Sequence, residues 1–166
     1  MTTIAISEGV VAVDSQLTGG NHAVRAQKLM RLPDGGVAVG AGLWRNAYAG
    51  LMWLVNGERG EPPDLDGATI VIVRPDKSIW IAEESFPAYP ILDTDYAAGC
   101  GADMARLLMA QGKSPVQAVA EACELDAMSS APIFSMAVLS PQEAGPTVHM
   151  VEQAPRRASK PARKRK

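Results

Sequence analysis

Cysteine and histidine are almost missing from this chain. Its 166 residues hold only Cys100, Cys123, His22 and His149 of those two types. The cysteines form no CxxC pair, and a reducing, cytoplasmic setting is expected. The histidines lack metal-ligand spacing, so no metal site is expected. No apolar stretch approaches the roughly 18 residues needed to span a bilayer. The N-terminus also lacks the composition of a signal or transit peptide. No membrane partner is therefore expected.

Basic charge is scarce as well, except in one place. Arg156, Arg157, Lys160, Arg163, Lys164, Arg165 and Lys166 are seven of the sixteen basic residues, which leaves nine for residues 1–155 beside all eighteen acidic ones. A body that acidic is a poor nucleic-acid surface. Any polyanion binding belongs to the tail, "QAPRRASKPARKRK", whose dense like charge and few apolar residues predict disorder over 153–166. The rest has ordinary hydrophobic content, 47%, and is long enough for one domain with a real core, expected over 1–152.

What the body does have is short β-type runs and three helical stretches. "TTIAI" and "VVAVDS" flank "SEG", where Gly9 suits a hairpin turn. "TGGN" breaks the pattern, and "KLMRLPDGGVAVGAG" reads as two strands about the turn "PDGG". Leu43, Ala47, Leu51 and Leu54 recur at helical spacing, widened by Trp44, Tyr48 and Met52. "ATIVIV" and "SIWIA" predict a second hairpin. "YAAGCGADMARLLMAQG" runs from strand through a Gly-rich turn into a helix that stops at Gly112. Ser114, Pro115 and Gln117 give the next helix an N-cap, a first-position proline and a capping box. "IFSMAVLS" and "PTVHMVE" predict two last strands. The order of elements supports an α+β class, and two apolar-faced antiparallel sheets with amphipathic helices are accommodated by a four-layer αββα sandwich.

The opening "MTTIAIS" has two readings. Thr and Ile are good strand formers, and the chain simply enters a sheet. Alternatively, removal of Met1 leaves Thr2 with its hydroxyl and a free α-amine on one residue. That amine, with a pKa near 7.7–8.0, can serve as a local base for the hydroxyl nucleophile. Other residues are equally two-sided when taken alone. Asp14 is a strand-end turn residue or a buried acid, and Lys28 is a surface charge or a catalytic cation. "GAG" is a tight turn or an oxyanion loop. Asp126 with Ser129 is a helix end or part of a site.

The segments "TTIAI", "VAVDS", "QKLMRL", "VGAG", "YAAGCG" and "LDAMSS" occur in one order. In that order the chain resembles the proteasome β-subunit family, and more closely its simple bacterial relatives of the HslV peptidase type, from Thr2 to about Val151. The resemblance implies an N-terminal-nucleophile hydrolase fold and a threonine endopeptidase. It makes Thr2 the nucleophile, Asp14 the buried carboxylate that holds a catalytic lysine, and Lys28 that lysine. Gly42 becomes the backbone donor facing the oxyanion. Asp126 and Ser129 match a D-x-x-S pair that orients the α-amine and a water. Thr18 matches a threonine lining the substrate channel. Leu17, Gly40 and Trp44 fall near the pocket for the residue before the scissile bond, which Gly40 leaves roomy and Leu17 and Trp44 make apolar, so a preference for large apolar residues is expected. No cofactor is implied. The implied partners are a peptide or unfolded protein substrate, further copies of the chain in a homo-oligomeric ring, and an ATP-dependent unfoldase.

There are departures from that family. Cys100 in "GCG" stands where a serine is usual, and since sulfur is a weaker hydrogen-bond group it is a candidate active-site support, an oxidation-sensitive thiol or a buried inert cysteine. Ser130 replaces a frequent glycine. The hairpin between Thr2 and Asp14 is shorter by about four residues, an even number that keeps Asp14 on the inward face. Cys100 and Ser130 keep a catalytically inactive proteasome-like scaffold in view, and the basic tail over 156–166 separately offers a binding module for nucleic acid or an acidic partner.

Overall fold

The structure is a computed structural model that describes residues 2–19 and 22–140. Met1, the expected strand over "PTVHMVE", His149 and the basic tail lie outside the described residues.

Three apolar layers organise the chain. One sheet has the order β10-β1-β2-β11, built from β1 (Thr3–Ser7), β2 (Val10–Val13), β10 (Tyr96–Gly99) and β11 (Phe134–Ala137). A second has the order β5-β6-β7-β8-β9, built from β5 (Leu29–Arg31), β6 (Val37–Gly42), β7 (Leu65–Val73), β8 (Ile79–Glu84) and β9 (Tyr89–Ile91). Every pairing within them is antiparallel. Strand alternation then divides the side chains between two faces. Ile4, Ile6, Val11 and Val13 of the first sheet meet Val37, Val39, Val71 and Val73 of the second in the central core.

The opposite faces are covered by helices. Ala5 and Ala12 pack under Ala105 and Leu108 of α2 (Ala102–Ala110) and Ala118 and Val119 of α3 (Pro115–Leu125). Ala38, Ile70 and Ile72 pack under Ala47, Leu51 and Leu54 of α1 (Trp44–Val55). Each large aliphatic side chain so buried contributes about 1.5–3 kcal/mol of transfer free energy. The layer order is helix, sheet, sheet, helix pair, which is the expected αββα sandwich.

Local chemistry sets the joints. Glu8 and Gly9 both have positive φ, the two-residue turn whose twist suits a hairpin, and Ser7 pairs with Val10 directly across it. Ser114 accepts from the Gln117 N–H while Gln117 accepts from the Ser114 N–H, closing the capping box that starts α3.

Two features differ from the sequence reading. The segment around "TGGN" forms a small hairpin, β3 (Gln16–Gly19) with β4 (His22–Arg25), mostly exposed and therefore without an alternating apolar signal. β9 carries Pro90 and sits at a sheet edge, where a missing N–H costs no ladder bond.

Candidate active site

The end of β2 delivers Asp14 to the interior, and the residue before β5 delivers Lys28 beside it. Both are 0% exposed, and Thr2 is 3% exposed. The Asp14 carboxylate accepts four hydrogen bonds. Oδ1 takes the Thr3 N–H at 2.9 Å and Lys28 Nζ at 3.0 Å. Oδ2 takes the Gln16 N–H at 2.8 Å and the Ser130 N–H at 3.4 Å. A buried carboxylate with that many donors is fixed in place.

Lys28 Nζ also donates to Thr2 Oγ1 at 3.0 Å. Burial pushes the lysine below its ordinary range, with the neighbouring Asp14 opposing that shift. An ammonium so placed favours negative charge on the threonine oxygen. Because the oxygen accepts from Nζ, its own hydrogen is free to leave toward a base.

A second polar cluster lies against the other side of the first strand. Asp126 caps the end of α3. Its Oδ2 accepts from Ser129 Oγ at 2.7 Å and from Cys100 Sγ at 2.8 Å, and its Oδ1 accepts from the Met128 N–H at 3.0 Å. The Cys100 hydrogen bond is the largest of the influences that hold Asp126 below the usual carboxylate range, helped by the Met128 N–H and Ser129. Cys100 also reaches Thr2: its N–H donates to the Thr2 carbonyl at 2.9 Å, and Sγ lies 3.4 Å from the same oxygen. The structure thus brings Thr2, Asp14, Lys28, Cys100, Asp126 and Ser129 into one connected set of hydrogen bonds.

Glycines make the close approaches possible. Gly99 has φ +90°, and a Cβ there would overlap the Thr2 carbonyl oxygen. Gly42, last in β6, has φ +84°, and a Cβ there would overlap the Gly67 carbonyl. Gly42 is exposed, at the point where the chain turns into α1.

The expected substrate-side residues are more scattered. Thr18 is exposed on β3, and its Oγ1 accepts from Gln16 Nε2 at 3.2 Å. Leu17 is half-buried opposite Val24. Trp44 is half-buried at the first turn of α1, its ring 5.9 Å from that of Tyr48. Gly40 lies under α1, where a Cβ would stand 3.1 Å from Ala47 Cβ and 3.2 Å from Leu51 Cδ1. Its missing side chain is matched by a close helix.

Sequence reasoning passed over Thr3, Gln16 and Gly99. Thr3 and Gln16 donate backbone N–H groups to Asp14, and Gln16 Oε1 accepts from Ser130 Oγ at 2.6 Å. The doubled threonine and the glycine beside Cys100 were the available signals. Among the described residues no group of three or more His, Cys, Asp or Glu is placed to hold a metal ion. Among them, too, no helix is long and apolar enough to cross a membrane.

No protein-family model and no curated protein sequence matches the chain. Solved structures do. BPH of Thiobacillus denitrificans in complex with epoxomicin is 16% identical, with a TM-score of 0.57, over 83% of this chain and 98% of that one. BPH of the same organism, solved separately, gives 17% and 0.54 over the same shares. Eukaryotic HslV from Trypanosoma brucei is 17% identical, with a TM-score of 0.60, over 82% of this chain and 98% of its own. The chain therefore has the HslV-type, proteasome β-like fold.

Proposed function

We propose that this chain, on its HslV-type fold, is a threonine endopeptidase whose nucleophile is Thr2 after loss of Met1. The single observation that carries the proposal is the 3.0 Å hydrogen bond from Lys28 Nζ to Thr2 Oγ1, with Asp14 holding the same Nζ.

In the 166-residue chain the nitrogen of Thr2 is a peptide nitrogen, and removal of Met1 turns it into an amine. At neutral pH a useful fraction of such an amine is unprotonated. It takes the proton from Oγ1 as Oγ1 bonds to the substrate carbonyl carbon, whose oxygen becomes the oxyanion facing Gly42. The C–N bond then breaks, and the leaving amine takes the proton from the Thr2 ammonium. The ester so formed is hydrolysed by water, with the Thr2 amine again as base. Lys28 lowers the cost of charge on Oγ1, while Asp126, Ser129 and Cys100 hold the amine side. No metal or organic cofactor enters these steps.

The fold similarity supports a ring of identical chains with the sites facing an inner chamber, fed with peptides or unfolded proteins by an ATP-dependent unfoldase. Leu107, Val116 and Leu125 of α2 and α3 are exposed and suit burial against another copy. Two free thiols, Cys100 and Cys123, go with a reducing cytoplasm.

The test is hydrolysis of fluorogenic peptides by wild type, Thr2→Ala and Thr2→Ser. The proposal expects turnover that Thr2→Ala abolishes and Thr2→Ser keeps in part. Equal turnover in wild type and Thr2→Ala contradicts it, and no turnover in either contradicts it and leaves the scaffold reading.

A further inference from the structure

We propose that Thr3 is a positioning residue of the active site, acting through Ser129. The inference rests on the threonine-peptidase reading and adds a residue to its machinery.

The Thr3 side chain is fully buried, so its hydroxyl needs partners. It accepts from the Gly101 N–H at 3.1 Å and lies 2.7 Å from Ser129 Oγ. Cys100 Sγ is farther, at 4.0 Å. The proton direction along this line follows from counting hydrogens. A serine or threonine hydroxyl has one to donate and two lone pairs to accept with.

Ser129 spends its hydrogen on Asp126 Oδ2 at 2.7 Å, because a charged carboxylate is the stronger acceptor. The Cys100 thiol hydrogen goes to the same Oδ2 at 2.8 Å. Ser129 Oγ can then only accept from Thr3, and the Thr3 hydroxyl must donate. The line runs one way: Gly101 N–H to Thr3 Oγ1, Thr3 O–H to Ser129 Oγ, Ser129 O–H to Asp126. One lone pair of Ser129 is left over, on an oxygen that also has Cys100 Sγ 3.4 Å away, and the proposal assigns that lone pair to the Thr2 amine. Thr3 thereby fixes both the position of Ser129 and which way it points. Chains of this kind also polarise each member, which makes the leftover lone pair a better acceptor.

The close packing around the hydroxyl is consistent with that role. A Cβ on Gly101 would overlap Thr3 Oγ1, so the loop after β10 is built to approach it. The backbone of Thr3 has a separate task, donating to Asp14 Oδ1 at 2.9 Å. Exchanging the side chain leaves that bond in place.

Thr3→Val keeps the branched shape and strand preference while removing only the hydroxyl. In peptide hydrolysis it is expected to lower kcat by about ten- to hundredfold with KM within about twofold. Thr3→Ser should recover most of the loss. Thr3→Val combined with Ser129→Ala should be no slower than Ser129→Ala alone, because both act through one oxygen. A crystal structure of Thr3→Val should show Ser129 in a second rotamer, away from Asp126. If the valine variant fails to fold, Thr3→Ala replaces it.

A purely structural Thr3 gives unchanged kcat in the valine variant, losses that add in the double variant, or an unmoved Ser129. Any of these overturns the inference. The crystallographic comparison decides even without turnover. Failure of the peptidase reading itself shows elsewhere, as a wild type no faster than Thr2→Ala.

Discussion

Lys28 Nζ stands 3.0 Å from Asp14 Oδ1 and 3.0 Å from Thr2 Oγ1, with the lysine and the aspartate both fully buried. An ion pair taken out of water is stabilising only while both charges and their hydrogen bonds are present.

Breaking that pair should therefore cost stability as well as activity. Lys28→Met or Asp14→Asn alone is expected to destabilise by about 3–5 kcal/mol. The double variant should lose less than the sum, which urea unfolding of all four proteins measures. Peptide hydrolysis by Lys28→Met should fall by about 10²-fold or more.

The Gly99–Thr2 approach allows no side chain. Gly99→Ala places a Cβ on the Thr2 carbonyl oxygen at a φ of +90°. The expected loss is at least about 3 kcal/mol from overpacking and left-handed backbone together. Thermal unfolding beside Gly112→Ala isolates the packing part. Gly112 has φ +88°, and a Cβ there would meet nothing within 4 Å, so its alanine bears the backbone cost alone.

Cys100 donates to Asp126, and that bond is the largest cause of the lowered Asp126 pKa. A carboxyl whose folded pKa lies below its ordinary value of 3.8 stabilises the fold above that pH. The contribution fades as pH falls through the folded value. Cys100→Ala should thus be less stable than wild type at pH 7, with the gap narrowing below pH 3.8. Cys100→Ser, which restores a donor, should narrow the gap at pH 7. Urea unfolding at pH 7 and pH 3 checks both.

In the proposed peptidase Leu17 and Trp44 make the pocket before the scissile bond apolar, so cutting after Leu, Phe or Tyr should exceed cutting after Glu or Arg. A panel of fluorogenic peptides that differ only at that residue measures the preference. Better turnover after Glu or Arg contradicts it.

Much of the fold was legible because its signals are local. The Glu8-Gly9 turn, the Ser114 capping box and the stripe from Ala47 to Leu54 each lie within a dozen residues. β3 and β4 were not legible, since exposed four-residue strands have no apolar face to alternate. In the site, Asp14 and Lys28 gained meaning only from their order behind Thr2. Thr3 reads as one more strand residue, because nothing in a sequence shows where a hydroxyl points. Gly40 reads as open space, yet α1 closes over it.

The most direct measurement is intact mass of the purified protein before and after an epoxyketone probe, for wild type and Thr2→Ala. Such a probe closes a ring through both a hydroxyl and a free α-amine, so it reports on an N-terminal threonine. The expected result is wild type without Met1 carrying one adduct, and Thr2→Ala carrying none. Retained Met1 with no adduct, or the same adduct on Thr2→Ala, would contradict Thr2 as the nucleophile.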